Sequence, residues 1–294
     1  MADAISQRAD LLAIWIGRRV PADGFAWFRD QMARLRGSGT EKALYLALGY
    51  APRKVGKRDL ELSREEYAAA QALRPGWDPR DWSVDQAARL AFILASYDGD
   101  EASFKTRLEQ LFRTADIGEL IAFYRGLPLY PAPDLHVARA REGVRSAMQP
   151  VFEAVAHRNP YPRERFDENA WNHMVLKALF IGSRLDPIQG LDERANPALM
   201  RMLCDYAHER WAAGRPISPE LWRCVGPFAD DAGLADLERI LETGTGPERQ
   251  AAALALSASP APGAAQILTK KAPDLARATA DGTLSWAALS VGAA

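Results

Sequence analysis

The chain has 294 residues and is almost neutral, with 37 Lys and Arg against 38 Asp and Glu. Its 48% hydrophobic residues can bury a substantial core, so we expect a folded protein of one large domain or two ordinary ones. A formal net charge of -1 gives no overall field to attract nucleic acid or an anionic membrane. This balance disfavours a nucleic-acid partner.

The first ten residues include the acids Asp3 and Asp10, where a signal peptide needs a basic region and an apolar core. The longest apolar stretches, such as 174–182 with Lys177 inside it, are about half the ~20 residues that a transmembrane helix needs. We therefore expect a cytoplasmic protein without a transmembrane segment. Cys204 and Cys224 lack a CxxC spacing and are expected to be reduced, buried apolar groups.

Apolar residues recur at three- and four-residue spacing along nearly the whole chain, as at Leu90, Ile93, Leu94 and Tyr97. This spacing is typical of amphipathic helices, and strand-like alternation is missing. Proline and glycine divide the chain into segments of about 10 to 20 residues. The pattern predicts an all-α protein built from helical hairpins.

Two similar segments in the last third, 250–257 and 283–290, are separated by about one two-helix repeat. Earlier, 117–127 and 134–146 would pair as a hairpin across the proline-rich turn between them. We therefore expect an irregular solenoid of stacked hairpins, similar to HEAT or TPR repeats.

A basic run at 53–61 precedes a helix that Ser63 and Glu66 could cap. It could contact an anion or a partner, but short charged runs are more often solvated linkers. As a linker it suggests a seam near residues 52–62. The predicted organisation is an N-terminal helical subdomain at 1–52 and a solenoid domain at 63–294 with a central polar block at 136–228, unless the chain forms one continuous domain.

All four histidines lie between residues 136 and 208. A helix predicted to run from Asp167 to Gly182 places Asn169, His173 and Lys177 on one face, among mostly apolar neighbours. Because such a helix is expected to be buried, its polar groups need partners or a cavity, and the face is a candidate cavity lining. The alternative is that Lys177 extends to solvent and the other two bond neighbouring elements.

A second helix, after Pro197, spaces Arg201, Asp205 and His208 along one stripe. An aspartate that orients a histidine is half of a general-base device. A structural ion pair beside a histidine has the same pattern, and we favour it because no motif places a nucleophile.

The segment His157-Arg-Asn-Pro-Tyr-Pro162 has too many prolines for a helix, and is predicted to be a rigid polar loop. Its side chains His157, Asn159 and Tyr161 suit contact with a ligand or partner, although a plain connecting turn is equally compatible. No HExxH, GxGxxG or P-loop motif occurs, and His173 with His208 lacks a third ligand. We expect no metal and no cofactor.

The run from Arg145 to Pro227 resembles the EboA family of bacterial metabolite-traffic proteins. The likeness is carried by the following segments: Ala154-Val-Ala-His-Arg-Asn-Pro-Tyr-Pro162, the helix at 166–182, Arg194-Ala-Asn-Pro197, Asp205-Tyr-Ala-His-Glu-Arg-Trp-Ala-Ala-Gly214 and 219–228. The resemblance implies a role beside other proteins of one gene cluster, including a prenyltransferase-like membrane enzyme, that make or move a metabolite toward the cell envelope. It supplies no catalytic residues, although His157 and Asn172 look like family positions.

Three hypotheses follow. The first, which we favour, is a non-catalytic binding or scaffold protein whose central groove holds a small metabolite or a pathway partner. The second is an enzyme of the same pathway, with His173 or His208 (beside Asp205) as general acid or base and Lys177 or Arg201 binding an anionic substrate. The third is a structural adaptor with an apolar surface patch and no cavity. The residues predicted to bind are His157, Asn159, Tyr161, Asn169, Asn172, His173, Lys177, Arg201, Asp205 and His208.

Overall fold

The computed structural model describes residues 2–37 and 40–291. Within these ranges the chain forms α-helices and short 3₁₀ turns, and it contains no strand beyond a single bridge between Asp59 and Ser83. The all-α class expected from the periodicity is therefore confirmed.

The chain folds as two compact units, residues 1–166 and 167–294. The helices of the first unit are α1 (Ala2–Gly17), α2 (Ala22–Arg36), α3 (Glu41–Val55), α4 (Arg64–Leu73), α5 (Val84–Ala95), α6 (Glu101–Thr114), α7 (Ile117–Arg125), α8 (Val137–Gly143), α9 (Gln149–Ala156) and α10 (Tyr161–Arg165). Those of the second unit are α11 (Glu168–Phe180), α12 (Pro197–Ala212), α13 (Asp231–Thr243), α14 (Gly246–Ala258), α15 (Ala264–Lys271), α16 (Pro273–Ala280) and α17 (Trp286–Val291).

The first unit is built around α5, which is buried at every position except Gln86. Helices α1, α2, α3 and α7 pack around it. Its two buried charges form an ion pair one helical turn apart, with 3.2 Å between Arg89 Nη1 and Asp85 Oδ2. The Arg89 guanidinium also donates to the Leu48 carbonyl of α3 at 3.3 Å. Pairing reduces the cost of burying both charges at the centre of the unit.

The basic run at 53–61 lies inside the first unit, where it forms the end of α3 and the loop to α4. Two backbone hydrogen bonds anchor this loop: Leu60 N donates to Trp82 O at 2.7 Å, and Val84 N donates to Arg58 O at 2.9 Å. The Ser63 and Glu66 capping box then begins α4, as the sequence predicts. The division between the two units falls after Phe166. A seam near residues 52–62 stays a prediction.

The second unit is built around α14, whose alanines 251–253 and 255 are fully buried. Helices α13, α15, α16 and α17 and both 3₁₀ turns of this unit, Pro219–Arg223 and Gly226–Phe228, pack against it. A Cβ on Gly226 would lie 2.4 Å from the Ala255 carbonyl oxygen, so small residues on both sides permit this close approach. A stacked-hairpin solenoid stays a prediction.

Two local expectations were wrong. Tyr161 and Pro162 do not belong to a loop but begin α10, because proline fits the first helical turn, where its missing N–H needs no partner. The predicted hairpin of 117–127 with 134–146 is not the main packing of α7, which lies chiefly against α5 and α9.

Candidate functional site

Helix α11 begins where the sequence predicts, with Asp167 Oδ1 accepting from Ala170 N at 2.8 Å. Its buried half carries Trp171, Met174, Val175 and Ala178. The polar stripe lies outside that half, so the expectation that the stripe is buried was wrong: Asn169 and His173 are exposed, and Lys177 is half-buried. These side chains therefore face solvent without the cost of full burial.

A reciprocal pair of amides joins α11 to the start of α12. Asn172 Nδ2 donates to Asn196 Oδ1 at 3.2 Å, and Asn196 Nδ2 donates to Asn172 Oδ1 at 2.8 Å. Asn196 is also the N-cap of α12, since its Oδ1 accepts from Leu199 N at 2.9 Å. At the other end, Tyr206 Oη donates to Leu179 O at 3.4 Å. Asn172, predicted to bind a ligand, is buried here and holds the two helices in register.

Around the second contact, α11 and the C-terminal half of α12 line a groove of about 400 Å³. This volume lies within the range typical of small-molecule sites. Within each helix the lining residues are three or four positions apart, so each helix contributes one face. The lining consists of His173, Leu176, Lys177 and Phe180 from α11, Tyr206, Glu209 and Arg210 from α12, and Arg215 just beyond it.

The groove combines an exposed aromatic ring with positive charge. Phe180 is 71% exposed, and Lys177 Nζ lies 5.3 Å from its ring centroid. The Arg210 guanidinium donates to Pro216 O through Nε and Nη2, at 3.1 and 2.9 Å, and lies 5.9 Å from the Tyr206 ring. Lys177 and Arg215 make no ion pair within the described ranges. An anion with an apolar body complements this surface.

His173 is the imidazole of the groove. Its Nδ1 lies 2.9 Å from the Asn169 carbonyl oxygen, one turn earlier. Because a carbonyl oxygen only accepts hydrogen bonds, this contact favours the tautomer with the proton on Nδ1, in which Nε2 is the acceptor. The ring can therefore accept a hydrogen bond from a ligand hydroxyl or amide.

The other predicted stripe lies on a different side of α12. His208 and Tyr206 are two residues apart, or about 200° around the helix axis. His208 Nε2 contacts Asp236 Oδ2 of α13 at 2.8 Å, so its carboxylate partner comes from another helix and not from Asp205. Arg201 and Asp205 are exposed, and no ion pair joins them in the described chain. Among the residues that line the groove there is no Arg201, Asp205 or His208.

The three candidates before α11 belong to the first unit. Asn159 is buried, and its Nδ2 donates to the carbonyls of Tyr124 and Ala154 at 3.2 and 3.1 Å, while its Oδ1 accepts from Tyr161 N at 3.0 Å. Tyr161 is fully buried and donates to Pro133 O, and burial raises the pKa of its phenol. His157 is half-buried. These contacts brace the start of α10.

The two thiols are poor nucleophiles. Burial, with the carboxylates of Asp236, Asp230 and Asp205 nearby, raises the pKa of Cys204 to about 12. Burial, followed by the Asp192 carboxylate, raises the pKa of Cys224 to about 12. At neutral pH both are protonated. Cys224 is buried as the sequence predicts, whereas Cys204 is only half-buried.

Across residues 2–37 and 40–291, no three His, Cys, Asp or Glu side chains are grouped closely enough to hold a metal ion. No helix in this part is both long enough and apolar enough to cross a membrane.

Comparison with models of known protein families shows which family the chain belongs to. The model of the family described as metabolite traffic protein EboA matches residues 8–226, about three quarters of the chain. The chain belongs to the EboA family. The EboA match includes every residue that lines the groove and ends before α13. No curated protein matches the chain, and no solved structure matches it.

The sequence pattern indicated part of this groove. It selected His173 and Lys177 but missed Phe180, Tyr206 and Arg210. Tyr206 and Arg210 are four apart on one helix, and this spacing was the available signal. Their importance depends on which face of α12 meets α11, and local spacing does not encode that.

Proposed function

We propose that the chain is a non-catalytic binding protein of a bacterial metabolite-traffic system, and that its α11–α12 groove binds a small anionic metabolite with an apolar body. The metabolite would be on its way toward the cell envelope, with the other proteins of the same gene cluster as partners. One observation carries the proposal: the strongly exposed Phe180 ring lies beside Lys177 in a groove within the EboA match. The exposed ring leaves apolar area in contact with water, and a bound apolar group would remove that area from water.

The proposal can be tested with 8-anilinonaphthalene-1-sulfonate, an aromatic anion that fluoresces when it leaves water. We expect saturable binding, with Phe180→Ala and Lys177→Gln each weakening it at least about fivefold, roughly 1 kcal/mol. Ile117→Ala is the matched control, because Ile117 is 54% exposed on α7 of the other unit. Equal binding by all four proteins would refute the groove as the site. If the groove variants do weaken binding, mass spectrometry of small molecules that copurify with the wild type would identify the natural ligand.

A second function, catalysis on an anionic substrate, has one observation in its favour: His173 and Lys177 line the same groove. His173 could serve as general acid or base through Nε2. Against it, the nearest partner of its Nδ1 is a backbone carbonyl and not a carboxylate. The test is to incubate cell extracts that contain the metabolite with each protein. If the wild type converts the metabolite and His173→Gln binds it without converting it, catalysis replaces the binding proposal.

A further inference from the structure

The outward face of α3 carries apolar and basic side chains together. Lys42, Leu46, Tyr50 and Arg53 lie three or four residues apart and are all exposed, Leu46 at 49% and Tyr50 at 45%. We call these four residues the α3 face. A Cβ placed on Gly49, between them, would meet no atom within 4 Å. The opposite side of α3 packs on α2 and α5, so the helix is fixed with this face toward solvent.

Positive charge continues past the end of α3. Lys54, Lys57 and Arg58 are exposed, and residues 41–61 contain five basic residues and three acids, Glu41, Asp59 and Glu61. None of the five forms an ion pair in the part of the chain that the structure describes. Backbone hydrogen bonds of Arg58 and Leu60 hold this loop against Val84 and Trp82 at the start of α5. A local positive field therefore exists on a chain whose net charge is -1.

We propose that the α3 face and the basic loop after it dock onto an anionic lipid bilayer. Clusters of four to eight basic residues bind anionic headgroups without losing their water, and a tyrosine ring is favoured at the depth of the headgroups. Leu46 and Tyr50 would enter the interface while the five cations contact lipid phosphates.

This chemistry fits a membrane surface better than a protein surface. Protein interfaces exclude charge from their centre and bury large apolar areas, whereas here two apolar side chains lie among five cations. The lipid interface accepts both groups together, since the charges stay hydrated above a shallow apolar layer.

Flotation of the full chain with vesicles tests the proposal. We expect binding to phosphatidylcholine vesicles that contain phosphatidylglycerol, and none to pure phosphatidylcholine. Raising the salt from about 0.1 M to about 1 M shortens the screening length from about 10 Å to about 3 Å and should release the protein. The double variant Leu46→Ser with Tyr50→Ser should bind the same vesicles more weakly than the wild type at low salt.

The decisive variant combines Arg53→Gln, Lys54→Gln, Lys57→Gln and Arg58→Gln. Each basic residue near an anionic surface contributes roughly a fivefold gain, so four full contacts would contribute about 600-fold. Since contacts at the edge of the surface are partial, we expect a loss of partitioning of about tenfold or more. The matched control removes four other exposed cations that have no ion pair in the described ranges: Arg113→Gln, Arg145→Gln, Arg249→Gln and Lys270→Gln. Circular dichroism melting checks that both variants are folded.

Several results would overturn the proposal. They are the absence of flotation by the wild type, equal binding to pure phosphatidylcholine, and equal loss in both charge variants. Capture of the wild type by polyglutamate or RNA without vesicle binding would assign the surface to a different partner. A change of oligomeric state in the Leu46 and Tyr50 variant would assign it to a second copy of the chain.

Discussion

At the scale of single residues, the buried amides of this chain serve the fold, and the exposed side chains are left for binding. Asn159 and Asn169 illustrate the difference. Both were selected as polar residues near the same block, yet Asn159 is 4% exposed with three internal hydrogen bonds, while the side chain of Asn169 faces solvent.

We expect Asn159→Ala to lower the free energy of unfolding by about 2–4 kcal/mol, because the Ala154 carbonyl and the Tyr161 N–H lose the partner that Asn159 supplies and the Tyr124 carbonyl loses one of its two donors. Asn169→Ala, the same change at an exposed site, should alter it by less than about 0.5 kcal/mol. Urea denaturation followed by circular dichroism measures both. If the two variants had equal stability, Asn159 would not brace α10 as described.

At the scale of helices, α5 and α14 show that a central helix needs different chemistry in each unit. Alanines let neighbours approach α14 closely, whereas α5 carries a buried Asp85–Arg89 pair among its apolar residues. Burial makes either charge costly without the other, so we expect the fold to be destabilised when one charge is removed and less affected when both are removed.

Asp85→Ala should therefore destabilise the chain by about 3–5 kcal/mol, because the Arg89 guanidinium is left buried and uncompensated. The double variant Asp85→Ala with Arg89→Met should recover part of that loss. Asp30 and Arg34 on α2 provide the control, a pair with the same four-residue spacing but 51% and 64% exposed. Asp30→Ala should cost less than about 1 kcal/mol. Thermal unfolding would contradict this argument if the two single variants behaved alike.

Sequence predicted the helices and their ends much better than their packing. The caps at Ser63 and Asp167 were predictable because capping depends on side chains within three residues of the helix start. The Asp236 partner of His208 was not, since it lies on α13 and is brought near only by tertiary packing. The groove was predicted only in part for the same reason: His173 and Lys177 follow from local spacing on α11, and the α12 side depends on how the two helices meet.

At the scale of the whole molecule, burial of neutral acids should set the alkaline limit of stability. Burial raises the pKa of Cys204, Cys224 and Tyr124 to about 12, and raises that of Tyr130 as well. These groups are neutral when protonated, so the folded state holds its protons after the unfolded chain has begun to lose them. Their stabilising contribution is complete below the unfolded thiol pKa of 9.0 and declines as the pH rises from there toward 12.

We therefore expect the melting temperature to change little between pH 8 and pH 9 and to fall steadily between pH 9 and pH 11. The double variant Cys204→Ala with Cys224→Ala should have a shallower fall, even if its melting temperature at pH 8 is lower. Differential scanning calorimetry across this range measures both slopes. Parallel curves for the two proteins would show that the thiols do not contribute.

The Asn172–Asn196 pair gives the groove a constancy that an ion pair would not provide. Neither amide titrates, and each one both donates and accepts, so acidification or changing ionic strength leaves the bond between the two walls unaltered. The charged side chains that would select a ligand therefore lie on helices whose connecting amides do not respond to pH or salt. Changes in ligand affinity with pH or salt should report the ligand's own charge and the lining side chains, with the spacing of the helices held constant.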